Sequence, residues 1–160
     1  MNERIIEKLR GQFPSSLEGT NEFRGDLTLQ IKRDDIVRVC EFLKADAELA
    51  FDMVIDLCGV DMYRPEGRYE VIYNLYSLKN KKYLRLKVLV DEDNAVIDSV
   101  TGVWAGANWH ERETYDMFGV KFAGHPDLRR MYMPEEYEYH PLRKDFPTMG
   151  IPDSIPLPRR

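Results

Sequence analysis

The sequence predicts an α+β fold: a two-layer sandwich with a mixed sheet of about five strands, helices on one face, and an extended proline-rich C-terminal tail. Three observations carry this expectation. Helical periodicity at the N-terminus and around residue 40 is interleaved with β-type patterns, and the order helix, strand, helix, three strands suits helices laid on one side of a sheet. The 160 residues make one ordinary domain, long enough to bury roughly 70% of its unfolded surface without disulfide or metal staples. Seven of the nine prolines, at 126, 134, 141, 147, 152, 156 and 158, follow residue 122, where no helical or alternating pattern survives. The chain therefore divides into an α+β domain over 1–122 and an extended, partner-binding C-terminal tail over 123–160.

Taken in order, Ile5, Ile6, Leu9 and Phe13 share one helical face, with Asn2 as the cap and Pro14 past the end. Leu27, Leu29 and Ile31 alternate with Thr28 and Gln30 as in a strand. Asp34 or Asp35 then caps a second helix that buries Ile36, Val39, Cys40, Leu43 and Ala47, which makes Cys40 a small core residue. Phe51, Met53, Ile55 and Leu57 alternate with Asp52, Val54, Asp56 and Cys58, and Gly59 and Asp61 lead into a turn at Arg64-Pro65-Glu66-Gly67. Strands over 69–78 and 83–90 are joined by the polar connection Lys79-Asn80-Lys81-Lys82. In the second of them Leu84, Leu86, Val88 and Val90 share one face, with Arg85 and Lys87 on the other. Further on, Asn108 with Glu111 three residues later forms a capping-box variant, and Gly119 in the left-handed conformation ends a short helix. That helix carries Glu111, Arg112, Glu113 and Asp116, with Arg112 and Asp116 at pairing distance beside Trp109.

Composition excludes several function classes. A net charge of -5 argues against nucleic-acid binding, which needs a surplus of Lys and Arg. Cys40 and Cys58 stand far apart with no ligand-spaced neighbour, so neither a disulfide framework nor a cysteine-held cluster or zinc site is expected. GxGxxG, P-loop, GxSxG and CxxC patterns are all absent. No apolar run reaches the length of a membrane span, and the first residues do not read as a signal peptide. The expected location is the cytoplasm or the cytoplasmic side of a membrane complex.

Two readings of the C-terminal half compete on the residues alone. His110, His125 and His140 lie among carboxylates, and a metal-dependent hydrolase could be built from His125, Asp127 and His140. No pair has the i, i+4 zincin spacing, however, and two of the three histidines precede prolines, which favours turn roles. The second reading is docking. Mixed-sign charges from Glu111 to Asp145 are interleaved with Trp109, Tyr115, Met117, Phe118 and Phe122, the composition of an interface core. The tail carries Leu128, Met131, Tyr132, Met133, Tyr137, Tyr139, Leu142 and Phe146, which need burial against another protein or against the chain's own sheet.

The run Glu111-Arg112-Glu113-Thr114-Tyr115-Asp116-Met117-Phe118-Gly119, continuing through His125-Pro126-Asp127-Leu128-Arg129-Arg130, resembles the signature of the 30-kDa subunit family of NADH-quinone oxidoreductase. In bacteria this is the C subunit of respiratory complex I. His140-Pro141-Leu142-Arg143-Lys144-Asp145-Phe146-Pro147 resembles a second block of the same family, and the likeness covers most of the chain. It implies a subunit of the hydrophilic arm that binds no cofactor itself, with FMN and iron-sulfur clusters in partner subunits. Those partners would be the quinone-site subunit that resembles hydrogenase large chains, the subunit holding the terminal cluster, and other subunits of the arm. The implied activity of the assembly is electron transfer from NADH to quinone coupled to proton translocation. The implied location is peripheral, on the cytoplasmic side of the inner membrane. Related hydrogenase, formate hydrogenlyase, F420H2 dehydrogenase and ferredoxin-plastoquinone complexes carry similar subunits. Under this resemblance Glu111, Arg112, Glu113, Asp116, Arg129, Arg130, Arg143 and Asp145 are expected to form interface or internal ion pairs. Tyr115, Phe118, Gly119, His125, Pro126, Asp127, His140, Pro141, Leu142 and Lys144 complete the signature positions.

Overall fold

A computed structural model describes residues 1–152. Along the chain it has α1 (Asn2–Gln12), β1 (Leu17–Phe23), β2 (Asp26–Ile31), α2 (Ile36–Ala45), β3 (Met53–Asp61), β4 (Tyr69–Ser77), β5 (Lys82–Val90), β6 (Val96–Asp98), α3 (Ala107–Phe118) and β7 (Lys121–Ala123). The main sheet has the order β1-β2-β5-β4-β3. It is mixed, because β2 runs parallel to β5 while the other neighbours are antiparallel. Leu27, Leu29 and Ile31 of β2 and the even-numbered residues Leu84 to Val90 of β5 are buried as their alternation requires, under Ile5 and Leu9 of α1 and Ile36, Val39, Cys40 and Leu43 of α2.

β1 is the strand that alternation does not announce. Residues Thr20 to Phe23 are all exposed, because this is an edge strand, and its place is fixed by pairing with β2 through a two-residue turn. Both turn residues, Arg24 and Gly25, have positive φ (53° and 88°), the geometry that matches the twist of a hairpin.

Four local expectations are corrected. Asn2 lies inside α1, whose N-cap is Met1 with no side-chain bond. Asp35 stands at the N-cap of α2 as expected, at the end of a 3-10 turn, Arg33–Asp35, but its side chain makes no capping bond. The Asp35 carboxylate instead accepts the Ser16 hydroxyl at 2.7 Å and Arg38 at 3.0 Å. Ala47 is exposed beyond the end of α2: Asp46 accepts the N–H groups of Glu48 and Leu49, and that turn gives the buried position to Leu49. Finally, Met53 and Ile55 point outward, 44% and 41% exposed, because a bulge between Val54 and Asp56 shifts the register against β4. An extra residue in one strand reverses every side chain on one side of it.

β6 and β7 form a separate two-stranded parallel sheet that returns the chain beside Ser99, whose N–H bonds the Ala123 carbonyl at 2.8 Å. The boundary drawn after residue 122 falls inside β7. Residues 124–152 contain turns and bends but neither helix nor strand, and the prolines at 156 and 158 lie outside the described residues.

Candidate docking site around helix α3

Helix α3 is seated by glycines at two points. Gly59 of β3 lets it approach the sheet: a Cβ there would stand 2.8 Å from both Thr114 Cγ2 and Phe118 Cδ2. Gly119 ends the helix at φ 80°, as expected, and its N–H bonds the Tyr115 carbonyl at 2.8 Å. The N-cap is Gly106, not Asn108, and no side chain caps the helix. Glu111 is drawn away from a capping role by a better partner, the 99–101 turn. It accepts the Val100 N–H at 2.8 Å and the Ser99 hydroxyl at 2.6 Å.

Glu111 is fully buried with no lysine or arginine partner among the described residues, and burial pushes its carboxyl up to about 7 against the two hydrogen bonds. The His125 ring is its nearest basic neighbour, with Nε2 3.9 Å from Glu111 Oε2. His125 is locally committed, however: Nδ1 accepts the Asp127 N–H at 3.0 Å and Nε2 lies 3.3 Å from the Asn108 carbonyl. A ring accepting at Nδ1 carries its proton on Nε2, which is the neutral tautomer.

Asp116 is the central anchor. One carboxylate oxygen accepts the N–H groups of Met131, Tyr132 and Met133 at 2.7–3.0 Å, and the other accepts Arg130 Nη1 at 2.7 Å. The expected partner Arg112 is elsewhere. It stacks 5.0 Å from the Trp109 ring and donates to the carbonyls of Arg129 and Arg130. Burial pushes the Asp116 carboxyl up, but the N–H groups of Tyr132 and Met133, the Arg130 guanidinium and the Met131 N–H together hold it below the usual carboxylate range. Geometry explains the choice, since three N–H groups of one turn converge on a single oxygen, which an i, i+4 pair along the helix surface does not offer.

A second anchor lies beside it at the end of β3. Asp61 accepts the Lys144 N–H at 2.8 Å and a two-pronged bond from Arg68 at 2.9 and 3.1 Å. Arg68 is itself buried, pairs with Glu92 and Asp145, and lies 5.2 Å over both Tyr63 and Tyr69. Between the two anchors, His140 Nδ1 donates to the Asp116 carbonyl at 2.9 Å and Arg143 Nε donates to the Phe118 carbonyl at 2.7 Å. Both side chains cross where Gly119 has no Cβ: one would stand 2.6 Å from His140 Nε2. Tyr115 meets the His140 ring edge-on at 6.2 Å.

The predicted residues thus sort by geometry. Asp116, Arg130, His140 and Arg143 fasten the C-terminal segment to α3, Asp145 ties it to Arg68, Glu111 holds the 99–101 turn instead, Arg112 bridges to residues 129 and 130, and Tyr115 and Phe118 pack partly against the core. Glu113, Pro126, Leu142 and Lys144 are exposed, Pro141 is half-buried, and Asp127 and Arg129 form an exposed bidentate pair. Arg68 and Glu92 escaped the sequence reading. No local pattern marks them, because Arg68 meets Asp61, Glu92 and Asp145 only once the fold brings them together. Among the described residues no three His, Cys, Asp or Glu side chains converge to hold a metal ion. His125 and His140 have ring nitrogens committed to backbone groups, which disfavours the hydrolase reading.

A segment fastened to a short helix through one carboxylate, with Arg130, His140 and Arg143 all directed at that helix's last turn, is a specific arrangement. The family model described as respiratory-chain NADH dehydrogenase, 30 Kd subunit, matches residues 29–151. The chain belongs to this family. The match takes in both anchors and all of the signature positions. Among relatives, the NADH-quinone oxidoreductase C subunit of Roseiflexus sp. (strain RS-1) is 51% identical over 91% of this chain and 84% of its own. The corresponding subunit of Geotalea uraniireducens (strain Rf4) is 46% identical over 99% of this chain and 95% of its own. Among solved structures, the trypsin-resistant fragment (1-134) of Nqo5 superposes with TM-score 0.68 at 32% identity, covering 80% of this chain and all of that one. A chain of a membrane-bound sulfane sulfur reductase, an archaeal respiratory membrane complex, shares the fold at TM-score 0.76 and 22% identity, over 92% of this chain and 86% of that one. Within the 30-kDa family the α+β sandwich and its mixed five-stranded sheet are therefore the expected architecture. No helix among the described residues is long and apolar enough to cross a membrane.

Proposed function

We propose that this chain is a scaffold subunit of the peripheral arm of a proton-translocating NADH-quinone oxidoreductase. It binds no cofactor itself and holds the quinone-site subunit and the terminal-cluster subunit in register, while FMN and the iron-sulfur clusters reside in its partners. The arm stands on the cytoplasmic side of the membrane. Electron tunnelling falls steeply with distance, so a subunit that fixes the spacing of redox partners governs turnover without touching an electron.

The observation that supports this most directly is the use made of the α3 charges. Its buried Asp116 fastens the chain's own C-terminal segment, while Trp109, Tyr132 and Leu142 are left 57%, 63% and 54% exposed around the anchors. Rigidly held, exposed aromatic and aliphatic side chains are the composition of a docking surface. The test is affinity purification of the tagged chain from membranes. The cluster-bearing and quinone-site subunits are expected in the eluate, together with NADH oxidation. Arg112→Ala or Asp116→Ala is expected to lower the amount of assembled complex at unchanged turnover per complex. Wild-type assembly with reduced turnover would overturn the scaffold role.

A further inference from the structure

We propose that the groove between the end of β3, the last turn of α3 and residues 142–144 receives a partner-protein segment in which a bulky apolar side chain stands next to a carboxylate. This rests on the scaffold reading and names the chemistry of one of its contacts. The groove has a volume of about 480 Å³ and is lined by Gly59, Val60, Met62, Phe118, Leu142 and Lys144, with the buried Asp61 beneath. That is room for side chains of a docked segment.

Its apolar character is held in place. Met62 and Leu142 are 46% and 54% exposed. Neither exposure comes from a loose backbone: the Leu142 N–H bonds the Met117 carbonyl at 3.1 Å and the Met62 N–H bonds the Arg68 carbonyl at 2.9 Å. The backbone of both walls is thus pre-organised, which leaves only their side chains and the incoming segment to be ordered on binding.

Charge selects the occupant. The two charged residues lining the groove are in different states. Asp61 is buried and turned inward, held by the two-pronged bond from Arg68, which Glu92 and Asp145 share. Lys144, whose N–H is fixed on Asp61, has an exposed side chain that makes no ion pair among the described residues. The neighbouring Asp145 is turned to Arg68 at 3.0 Å, and Arg143 reaches the Phe118 carbonyl instead of a carboxylate. The charged group left free at the mouth of the groove is therefore the Lys144 ammonium. Its complement is a carboxylate flanking an apolar anchor, and such a rim pair adds specificity of docking more than raw affinity.

The test places a photo-activatable cross-linking residue at position 142 or 62 of the full chain, expressed within its membrane complex. The complex is purified by a tag on this chain, irradiated, and the adduct mapped by mass spectrometry. Phe23, exposed at the far edge strand, serves as the reference site. The expected result is an adduct to a partner subunit, at least tenfold above that from position 23, within a peptide carrying Asp or Glu beside a large apolar residue. Lys144→Glu should lower that yield at least fivefold and Lys144→Arg should preserve it. Reversing the partner's carboxylate to Lys should restore the Lys144→Glu yield. The proposal is overturned by an intact complex that gives no adduct from the groove, or by a yield indifferent to Lys144→Glu. An adduct only to a second copy of this chain, or to its own residues beyond 152, overturns it too. In each of those cases the co-purified subunits still uphold the scaffold reading. Their absence from the wild-type eluate would instead overturn that reading, and the proposal with it.

Discussion

Glu111→Gln is expected to stabilise the protein at pH 8 and leave it nearly unchanged at pH 4.5. Glu111 is fully buried, faces Cys40 of α2 and Tyr73 of β4, and has its carboxyl raised from 4.5 to about 7 by burial. The folded value lies above the unfolded one, so the stability this group contributes is complete below pH 4.5 and is lost as pH rises through about 7. At about 1.4 kcal/mol for each pH unit, the loss across that window is about 3 kcal/mol. Glutamine keeps a carbonyl for the Val100 N–H and offers an N–H to the Ser99 hydroxyl, but it has no charge to desolvate. Asp61 and Asp116, both held below their usual range, act in a separate window under pH 3.8. His140, lowered by burial, is present in both proteins and cancels in their difference. Urea unfolding of wild type and variant at pH 4.5, 6 and 8 reads the effect directly. The gap should open from near zero to about 3 kcal/mol in favour of the variant. Parallel pH profiles for the two proteins would show that the Glu111 carboxyl binds its proton equally well folded and unfolded, and would refute the burial argument.

Other perturbations follow from the same contacts. Asp116→Ala leaves the Arg130 guanidinium and three N–H groups without their acceptor, at a cost of about 3–5 kcal/mol; limited trypsin digestion should then cut faster after Arg130, whose side chain is buried against Asp116 in the wild type. Gly59→Ala drives a methyl group into Thr114 and Phe118, so thermal unfolding should show a drop in Tm of roughly 3–10 °C for an overpacking cost of about 1–3 kcal/mol. Gly119→Ala combines a left-handed alanine, about 1–2 kcal/mol, with a collision against His140 and Arg143. Hydrogen exchange should show faster amide exchange at Leu142 and Lys144 while the β4 and β5 amides keep their protection.

What was legible in the sequence was local. The alternation from Leu84 to Val90 and the glycine after Phe118 report a strand face and a helix end because each depends on neighbours in the chain. β1 carries no such pattern, since an exposed edge strand is defined by its partner and its turn. The bulge at Ile55 is equally silent, because alternation on both sides of it looks continuous until β4 supplies the register. The site shows the same division. Glu111, Asp116, Arg130, Arg143 and Asp145 stood out as residue types in a specific run, but their partners lie on other elements, and Arg68 joins Asp61, Glu92 and Asp145 only through the fold.

That division separates two ways of losing assembly. The carboxylates and arginines around α3 act on the chain's own C-terminal segment, whereas Leu142 and Lys144 face outward from a segment already fastened. Asp116→Ala should therefore lose trypsin resistance in the isolated chain and assembled complex together. Lys144→Glu and Leu142→Asp should lower assembly while the isolated chain resists trypsin as the wild type does, since neither side chain makes an anchoring bond among the described residues. Leu142→Asp, with an exposed side chain, is expected to change stability by no more than about 0.5 kcal/mol. If it exposed the tryptic site at Arg130, Leu142 would belong to the anchor, and the line drawn between fastening and docking residues would fall on the other side of it.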